Sequence, residues 1–403
     1  MLVTALETIR FEEIPNLLIL RLHTDAGLVG LGETYFGAEA VEAYLHESVA
    51  PQLLQHDPLA IEARSRELVP YLGYQGTGVE LRGNSAVDIA QWDLLGKATG
   101  KPLYQLLGGR TRHEIAAYNT CAGPQYMAKG RAGTTKSWGL ADTSAKRYED
   151  LDAFLHRADE LAHDLIEQGF RGMKIWPLDR LAEASGGKLP APRLLKDALE
   201  PFRKIRDAVG SQIDILVELH SLWDLPAARQ VIGAVEEFAP YWIEDPVRAT
   251  NARELANLSR QTTVPIATGE TLAGVSSFEQ LIDQGFQGVL ILDIGWVGGL
   301  TQAKRVAALA EAHLLPIAAH DCTGPIVLTA STHMAVSMTN AIIQEIVRAY
   351  FYGWYDKLVT ALPTFENGML RPPEGPGLGT ELQPDILDRP GVSSRMSSSG
   401  HLG

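Results

Sequence analysis

Six ionisable side chains in this sequence each follow a short apolar segment rich in β-branched residues, and together they could support metal binding and acid–base chemistry. They are Glu218, Glu244, Glu270, Asp293, His320 and Glu345, and successive members are 23 to 27 residues apart. Carboxylates that lie close together repel one another unless a cation joins them. An imidazole beside a carboxylate can act as a general base. Both kinds of chemistry require a fold that places these six side chains together.

The segments before these residues have the composition of strands that are buried on both faces, as in a parallel sheet. Examples are IDILV before Glu218 and GVLIL before Asp293. Helical stretches such as TQAKRVAALAEAH lie between them, with apolar residues three and four apart. A strand–helix unit that recurs about every 25 residues predicts a (β/α)₈ barrel. Active sites of that fold lie at the carboxyl ends of the strands, so the six side chains would line one cup.

The barrel is predicted to occupy residues 113–350, between two other regions. Residues 1–112 lack the barrel period and have the pattern of a separate α+β domain, with a hairpin in LLILRLHTDAGLVGLGET. Residues 351–403 are rich in proline and glycine, and we expect them to pack back on the N-terminal domain. From about residue 392 the composition predicts a disordered tail.

The overall composition excludes several classes of partner. The chain has 403 residues, with 35 basic and 49 acidic side chains and a net charge of −14, which argues against nucleic-acid binding. Two cysteines in so long a chain favour a reducing compartment. The N-terminal residues lack the order of a signal peptide, and no apolar run reaches the roughly 18 residues of a membrane span. We therefore expect a soluble, cytoplasmic protein with no membrane partner.

Three of the six residues are glutamates at the ends of consecutive predicted strands, which favours a metal site. Glu218, Glu244 and Glu270 would lie side by side, and oxygen-only ligation favours Mg²⁺, with Mn²⁺ as a substitute, over Zn²⁺. The alternative is that each glutamate pairs with a local lysine or arginine. The equal spacing favours the metal site.

Histidines and a lysine near the same strand ends are the other catalytic candidates. Asp293 would orient His320 and raise its basicity, as a general base requires. His220 follows Glu218 by two residues, which suits a general acid near the metal or a structural histidine. Lys174 and Trp176 share one face of the second predicted strand, and both could face the barrel interior near its mouth.

Two loops are candidates for covering the site. Residues 71–78, which include Tyr74, have the glycine and aromatic content of a flap. The insertion 124–150 is longer than an ordinary loop of this fold. It contains a basic cluster with Lys129 and Arg131. A solvated surface is the simpler interpretation of this cluster, and an anion-binding lid with these two residues on the substrate is the alternative.

Several motifs together resemble the enolase superfamily, in the mandelate racemase subgroup, over nearly the whole chain. The motifs are SAVDIAQWDLLGKATGKPLYQLLGG, GFRGMKIW, VELH, WIEDP, ATGET and GPGLG. In that family three strand-end acids bind Mg²⁺, which holds the substrate carboxylate and stabilises an enediolate after removal of the α-proton. The resemblance implies that Glu218, Glu244 and Glu270 are these ligands. It also implies a base dyad of His320 with Asp293, and an eighth-strand acid, Glu345, that helps to bind the carboxylate.

The departures from the family pattern reduce the number of reactions that the resemblance allows. Many relatives have Lys-x-Lys on the second strand, whereas this chain has Lys174-Ile175-Trp176, so the second lysine base is missing. This disfavours racemisation and leaves Lys174 as a cation near the substrate carboxylate or in a salt bridge. Glu218-Leu219-His220 is similar to the acid-x-histidine pattern of galactonate and mannonate dehydratases. Glu at the first ligand position, where many relatives have Asp, alters the reach of that ligand.

The resemblance implies dehydration of an acid sugar to a 2-keto-3-deoxy acid. A cycloisomerase or epimerase on the same template is one alternative, and a catalytically idle or regulatory relative is another. Intact ligands and dyad argue against the idle relative. The segment 11–16 is short where relatives carry a longer covering loop. We therefore expect a homo-oligomer in which a neighbouring subunit completes the pocket.

Overall fold

The computed structural model describes residues 1–69, 78–128, 135–140 and 147–398. Three residues predicted to bind substrate, Tyr74, Lys129 and Arg131, lie outside the described residues. Within the described ranges, no helix combines the length and the apolar content that crossing a membrane requires.

The N-terminal domain is built on an antiparallel sheet whose strands lie in the order β14-β1-β2-β3. These strands are β1 (Val3–Phe11), β2 (Leu17–Thr24), β3 (Val29–Tyr35) and β14 (Val392–Ser398). The predicted hairpin is confirmed as β2 and β3. Strand β1 was not predicted. The expected disorder from residue 392 is wrong for 392–398, because β1 offers a free edge with which this segment forms a regular ladder.

The helices of this domain follow the first three strands in the chain, and the longest of them packs against β3. They are α1 (Ala38–Tyr44), α2 (Ala50–Leu53), α3 (Ile61–Glu67), α4 (Val79–Thr99) and α5 (Leu103–Leu106), with a π-helical turn at Leu45–Val49 between α1 and α2. The long helix α4 approaches β3 closely because Gly32 has no side chain. A Cβ atom at Gly32 would lie 1.9 Å from the carbonyl oxygen of Ala86.

The second domain is a closed barrel of eight parallel strands, as the sequence predicted. The strands are β4 (Ile115–Thr120), β5 (Gly172–Ile175), β6 (Asp214–Glu218), β7 (Trp242–Glu244), β8 (Ile266–Thr268), β9 (Gly288–Leu292), β10 (Ile317–Ala319) and β11 (Ala341–Ile346). Each strand pairs with the next, and β11 closes the barrel by pairing with β4.

Helices surround the barrel and connect its strands. They are α6 (Asp150–His156), α7 (Ala158–Glu167), α8 (Asp179–Ser185), α9 (Pro192–Ala198), α10 (Glu200–Val209), α11 (Leu225–Val235), α12 (Ala252–Gln261), α13 (Gly274–Asp283), α14 (Gly299–Ala312) and α15 (Pro325–Ser337). Short 3₁₀ turns occur at Thr135–Trp138, Glu236–Phe238 and Ile386–Asp388. After β11 the chain forms α16 (Arg348–Tyr350), a π-helical turn at Phe351–Tyr355, and α17 (Asp356–Leu358).

The alternation of side chains along each strand places the ionisable residues at the mouth of the barrel. A cluster of buried side chains fills the interior, and it includes Tyr118, Leu216, Trp242, Ile291 and Ala318. Successive side chains of a strand alternate between its two faces. The residue two positions after each of these therefore faces the same interior, one layer closer to the carboxyl ends of the strands. These residues are Thr120, Glu218, Glu244, Asp293 and His320.

Glu270 reaches the same layer by another route. It follows Gly269, whose φ is +126°, a conformation that side chains other than glycine's rarely adopt. A Cβ atom there would also lie 2.8 Å from the carbonyl oxygen of Ile291. Glycine at this position is therefore needed for the turn that brings Glu270 into the cup.

The C-terminal segment contacts both domains. Its hairpin β12 (Thr364–Glu366) and β13 (Met369–Arg371) pairs antiparallel with the first half of β4 in the barrel. Further on, the backbone N–H of Leu378 donates to Asp93 of α4 at 2.9 Å, and Glu381 forms an ion pair with Lys97 of the same helix. The segment thus ties the N-terminal domain to the barrel.

Carboxylates of the N-terminal domain cap the two barrel helices that follow the predicted dyad. Glu33 of β3 accepts the backbone N–H groups of Ile326 and Val327, at 3.0 and 3.1 Å, at the start of α15. Asp88 of α4 accepts the backbone N–H of Thr301, at 3.0 Å, at the start of α14. A carboxyl group at a helix N-terminus accepts hydrogen bonds from otherwise unpaired N–H groups, and in its charged form it also interacts favourably with the helix dipole.

Glycines make room for these two carboxylates. A Cβ atom at Gly324 would lie 2.5 Å from the Glu33 carboxyl group, and one at Gly299 would lie 2.3 Å from Asp88 Oδ1. The two loops after β9 and β10 are therefore held against the N-terminal domain by specific hydrogen bonds as well as by apolar packing.

Glu33→Gln should change how stability depends on pH. Burial, with Asp321 and Asp293 nearby, raises the pKa of Glu33 to about 8. The folded protein therefore holds this proton more tightly than the unfolded chain does. The resulting stability is present below the ordinary carboxyl pKa and is lost as the pH rises through about 8.

We expect the stability of wild type relative to Glu33→Gln to fall by ~2–5 kcal/mol between about pH 5 and pH 9. Denaturant unfolding at several pH values measures it. Glu236→Gln is the control, because the hydrogen bond from Thr262 lowers the pKa of Glu236, so its stability difference should be constant over this range. A Glu33→Gln difference that is independent of pH would contradict the prediction.

Candidate active site

A cavity of about 590 Å³ lies at the carboxyl ends of the barrel strands, beneath the N-terminal domain. The residues predicted from sequence that line it are Lys174, Trp176, Glu218, His220, Glu270, His320 and Glu345. Glu244 and Asp293 are fully buried in the adjoining wall. The structure therefore brings together every predicted site residue that lies within the described ranges.

Lys174 is the centre of an ionic cluster at the floor of this cavity. Its Nζ lies 2.9 Å from carboxylate oxygens of both Glu244 and Glu345, and 3.6 Å from Glu218. Trp242 donates its indole N–H to Glu244 at 2.9 Å. The salt bridge that sequence analysis considered for Lys174 is therefore present, and it involves three carboxylates.

The charges in this cluster alter one another's pKa values. Burial, partly offset by Lys174 and reinforced by the neighbouring carboxylates, raises the pKa of Glu244 to about 8. Burial alone would lower the pKa of Lys174, but Glu244 and Glu345 raise it well above its ordinary value. One ammonium group thus offsets only part of the negative charge that the cup gathers.

The remaining charge and the donor set fit a divalent cation. One carboxylate oxygen from each of Glu218, Glu244 and Glu270 can be chosen so that all three lie within 4.8 Å of one another. Oxygens that ligate one Mg²⁺ at 2.0–2.1 Å lie within roughly 4.2 Å of one another. A small contraction would therefore allow these three glutamates to hold a metal ion.

His320 and Asp293 form a buried hydrogen-bonded pair. Nδ1 of His320 lies 2.6 Å from Asp293 Oδ2. Its other nitrogen, Nε2, lies 3.3 Å from Glu270 and 3.9 Å from Glu345. Burial would lower the pKa of His320, but Glu270, Glu345 and the bond to Asp293 raise it well above the ordinary value. The ring is thus oriented with Nε2 toward the carboxylate cluster.

His220 has a carboxylate partner of its own, which the sequence analysis missed. Its Nδ1 lies 2.8 Å from Asp179 Oδ2, and its Nε2 lies 3.5 Å from the hydroxyl of Tyr126. Burial would lower the pKa of His220, but Asp179 and Glu218 raise it to about 10. Asp179 begins α8 three residues after Trp176, and that position just beyond a barrel strand was the available signal.

His220 is held in place by its backbone as well. Its φ is +48°, in the left-handed region that non-glycine residues rarely adopt. The backbone N–H of His220 donates to Glu218 at 2.6 Å. Backbone strain of this kind persists only where surrounding contacts enforce it, and here it directs the imidazole over the cavity.

Trp176 forms one wall of the cavity through its aromatic ring. The ring packs against Tyr126 at 5.1 Å and edge-on against His220 at 5.7 Å, measured between ring centroids. Tyr126 and Met127 belong to the predicted insertion 124–150, so the described part of that insertion contributes to the site.

The N-terminal domain supplies lining residues that carry no sequence signal. Asn16, Phe36 and Arg82 reach the cavity beside Trp296 of the barrel. They are far apart in the chain and follow no motif, so only the docking of the two domains brings them together.

The comparisons with known proteins identify the family. Residues 3–108 match the mandelate racemase / muconate lactonizing enzyme N-terminal domain, and residues 157–386 match the enolase C-terminal domain-like family. The chain therefore belongs to the mandelate racemase/muconate lactonizing enzyme family of the enolase superfamily. The resemblance and the fold class predicted from the sequence are confirmed.

Individual relatives cover almost the whole chain. A solved enolase of the mandelate racemase subgroup from Agrobacterium tumefaciens is 46% identical, with a TM-score of 0.87 over 99% of both chains. A solved enolase from environmental sequencing of the Sargasso Sea is 40% identical, with the same TM-score and coverage. D-galactonate dehydratase of Ralstonia nicotianae is 29% identical over 96% of this chain and 94% of its own.

Lys174→Met should destabilise the protein in a way that a divalent cation reverses. Removing one partner from a buried ionic cluster costs about 3–5 kcal/mol, because the remaining charges lose their compensation. We expect this loss in the presence of a chelator. Added Mg²⁺ should raise the melting temperature of the variant more than that of wild type, since the metal would take over the charge of the ammonium group.

Lys97→Met is the matched control for this measurement. Lys97 also bridges two carboxylates, of Asp93 and Glu381 at 2.8 and 2.7 Å, but it lies outside the cavity. This variant should lose stability without any enhanced response to Mg²⁺. Equal Mg²⁺-induced shifts in wild type and in both variants would contradict the assignment of the metal site.

Proposed function

We propose that this protein is a Mg²⁺-dependent dehydratase of acid sugars. It would remove the α-proton and the β-hydroxyl of a polyhydroxy carboxylate to yield a 2-keto-3-deoxy acid. The observation that carries the proposal is a pair of histidines, each bonded to its own carboxylate, that face one cavity beside three clustered glutamates. A β-elimination needs a base for carbon and an acid for oxygen, and this arrangement offers one candidate for each.

The first step is removal of the α-proton by His320. Asp293 accepts the Nδ1 hydrogen, which directs Nε2 toward the substrate, and it stabilises the imidazolium that forms. Glu270 raises the pKa of His320, and this effect would weaken if Glu270 were bound to a metal ion, so that the neutral ring could take the α-proton. Lys174 offers positive charge for the substrate carboxylate next to Glu345. A Mg²⁺ ion held by Glu218, Glu244 and Glu270 would supply Lewis-acid stabilisation of the developing negative charge.

The second step is loss of the β-hydroxyl as water. His220, protonated because Asp179 stabilises its charge, donates a proton to the departing oxygen as the carbon–oxygen bond breaks. The electron pair of the broken α-carbon–hydrogen bond forms the new carbon–carbon double bond. The resulting enol takes up a proton at the β-carbon, loses the proton of its α-hydroxyl group, and becomes the 2-keto-3-deoxy acid.

The curated relatives support this choice of reaction among those of the family. D-galactonate dehydratases of Ralstonia nicotianae and Pectobacterium atrosepticum are each 29% identical over 96% of this chain. The proposed acid-x-histidine pair, Glu218 and His220, supports the same reaction. A screen of acid sugars of different stereochemistry in the presence of Mg²⁺ would identify the substrate by release of a 2-keto-3-deoxy acid.

Epimerisation is the second candidate, and the His220–Asp179 pair favours it specifically. A histidine with its own carboxylate could act as a base as well as an acid, which would place a base on each of two sides of the cavity. Product analysis separates the two reactions, because an epimer keeps the mass of the substrate whereas a dehydration product is one water lighter.

Glu244→Gln should abolish most of the affinity for Mg²⁺ while the fold survives. The substitution removes the negative charge of one of the three proposed metal ligands. The fold should survive because the barrel is stabilised by its packed interior layers. Calorimetric titration with Mg²⁺ and circular dichroism of the same samples measure the two effects. Full turnover by a metal-free wild-type sample would contradict the ligand assignment.

His320→Asn and His220→Asn should affect different steps. With a substrate found by the screen, His320→Asn should abolish both turnover and exchange of the α-hydrogen with deuterated solvent. His220→Asn should lower elimination by about 10²–10⁴, the usual contribution of a general acid or base, while α-exchange persists. Normal exchange in His320→Asn would show that another group removes the proton and would support the epimerase.

A further inference from the structure

The hydroxyl group of Tyr126 lies beside the nitrogen of His220 that faces the cavity. Nδ1 of His220 lies 2.8 Å from Asp179 Oδ2, so the hydrogen on Nδ1 is engaged with a carboxylate. Nε2 is then the nitrogen that can give a proton to the cavity, and it lies 3.5 Å from the hydroxyl oxygen of Tyr126, which also lines the cavity. A group that receives a proton from Nε2 must therefore either displace this hydroxyl or receive the proton through it.

Displacement of Tyr126 is disfavoured, because its backbone is fixed by side chains from two other parts of the chain. Its carbonyl oxygen accepts a hydrogen bond from the hydroxyl of Tyr350, which follows the last barrel strand. The carbonyl oxygen of Met127 accepts the side-chain amide of Asn16 at 2.7 Å and the hydroxyl of Tyr35 at 3.3 Å. Met127 has a φ of +54°, and such a backbone persists only where surrounding contacts enforce it.

The side chain of Tyr126 is also held in place, because it packs against Trp176. The two ring centroids are 5.1 Å apart, and the same indole lies edge-on to His220 at 5.7 Å. Tyr126 is only 5% exposed and Trp176 only 1%. Movement of either ring would open a void in a packed region, which costs stability. The tyrosine hydroxyl and the imidazole are therefore kept next to each other.

The chemistry of a phenol suits the transfer of a proton through it. A tyrosine hydroxyl can accept one hydrogen bond and donate another at the same time. Burial raises the pKa of Tyr126 well above its ordinary value, so the hydroxyl must gain a proton as it gives one away. The 3.5 Å separation from Nε2 is long for a hydrogen bond. Catalytic hydrogen bonds of this length shorten when the substrate is bound.

We propose that Tyr126 is a catalytic residue that passes a proton from His220 to the departing β-hydroxyl group of the substrate. This inference rests on the proposed function and adds a residue to its second step. The Nε2–H bond of His220 breaks as an O–H bond forms at Tyr126, whose original hydrogen joins the leaving oxygen. The carbon–oxygen bond breaks with its electron pair on oxygen, and water leaves. Tyr126 ends as the neutral phenol and His220 as the neutral imidazole.

Tyr126→Phe tests this relay, because it removes the hydroxyl and keeps the ring against Trp176. The substrates are the acid sugar that the screen identifies and its 3-deoxy-3-fluoro analogue, which gives the same product. Fluoride departs as an anion, so its loss needs no relay. With the hydroxyl substrate, kcat should fall about 10²-fold or more, as for loss of a general acid, while KM and α-hydrogen exchange persist. With the fluoro analogue, kcat should fall by no more than about threefold.

Tyr104→Phe is the matched control for both substrates. Tyr104 is also a buried tyrosine, but its hydroxyl donates to Glu374 at 2.7 Å, away from the cavity. Both rates should be unchanged in this variant. A second measurement needs no substrate, since it uses nitrogen NMR of protein labelled in its histidines. The Nε2 resonance of His220, assigned by its loss in His220→Asn, should shift in Tyr126→Phe and not in Tyr104→Phe.

Three results would overturn the relay and leave the dehydratase intact. They are an unchanged kcat for the hydroxyl substrate in Tyr126→Phe, an equal loss for the hydroxyl and fluoro substrates, and an Nε2 resonance of His220 that does not respond to the substitution. An equal loss would show that Tyr126 only shapes the cavity. Failure of the proposed function has a different signature, because wild type itself would then release no 2-keto-3-deoxy acid and no fluoride. That result would overturn the relay together with the dehydratase.

Discussion

Burial of several carboxylates in one cup is the constraint on which this structure depends. Glu218, Glu244 and Glu345 all lie within 3.6 Å of the Lys174 ammonium group. Unpaired charges at such depth would be too costly to retain. The arrangement is therefore stable only with a cation among the carboxylates. Lys174 supplies one unit of positive charge. A divalent ion could supply more, because Glu218, Glu244 and Glu270 are close enough together to hold one.

The two domains depend on each other at the same place. The loops after β9 and β10 carry Asp293 and His320, and the N-terminal domain binds the helices that follow these loops through Asp88 and Glu33. Thr34 adds a hydrogen bond to the carbonyl oxygen of Gly295 at 2.9 Å. The domain that covers the cavity thus also holds the two loops that carry Asp293 and His320.

The two histidines differ in how they are held, although each has a carboxylate partner. His320 directly follows the regular strand β10, and its position follows from the alternation of that strand. His220 lies beyond the end of β6 with a left-handed backbone, and Asp179 from the preceding unit orients it. The position of His320 therefore depends on its strand, whereas the position of His220 depends on neighbouring loops.

The sequence alone determined the barrel, the positions of six strand-end residues and the glutamate triad. Strand period and side-chain alternation are local properties, and they place a residue at the mouth without knowledge of its neighbours. It did not predict strand β14, because a strand at the edge of a sheet is stabilised by its pairing rather than by an apolar pattern of its own, and it did not predict β1, which lies between β14 and β2. The partners Asp179 and Glu33 were also missed, as was the cavity-lining Arg82, since each contacts elements far apart in the chain. Only the tertiary structure decides such contacts, because they depend on how the N-terminal domain and the barrel loops pack against one another.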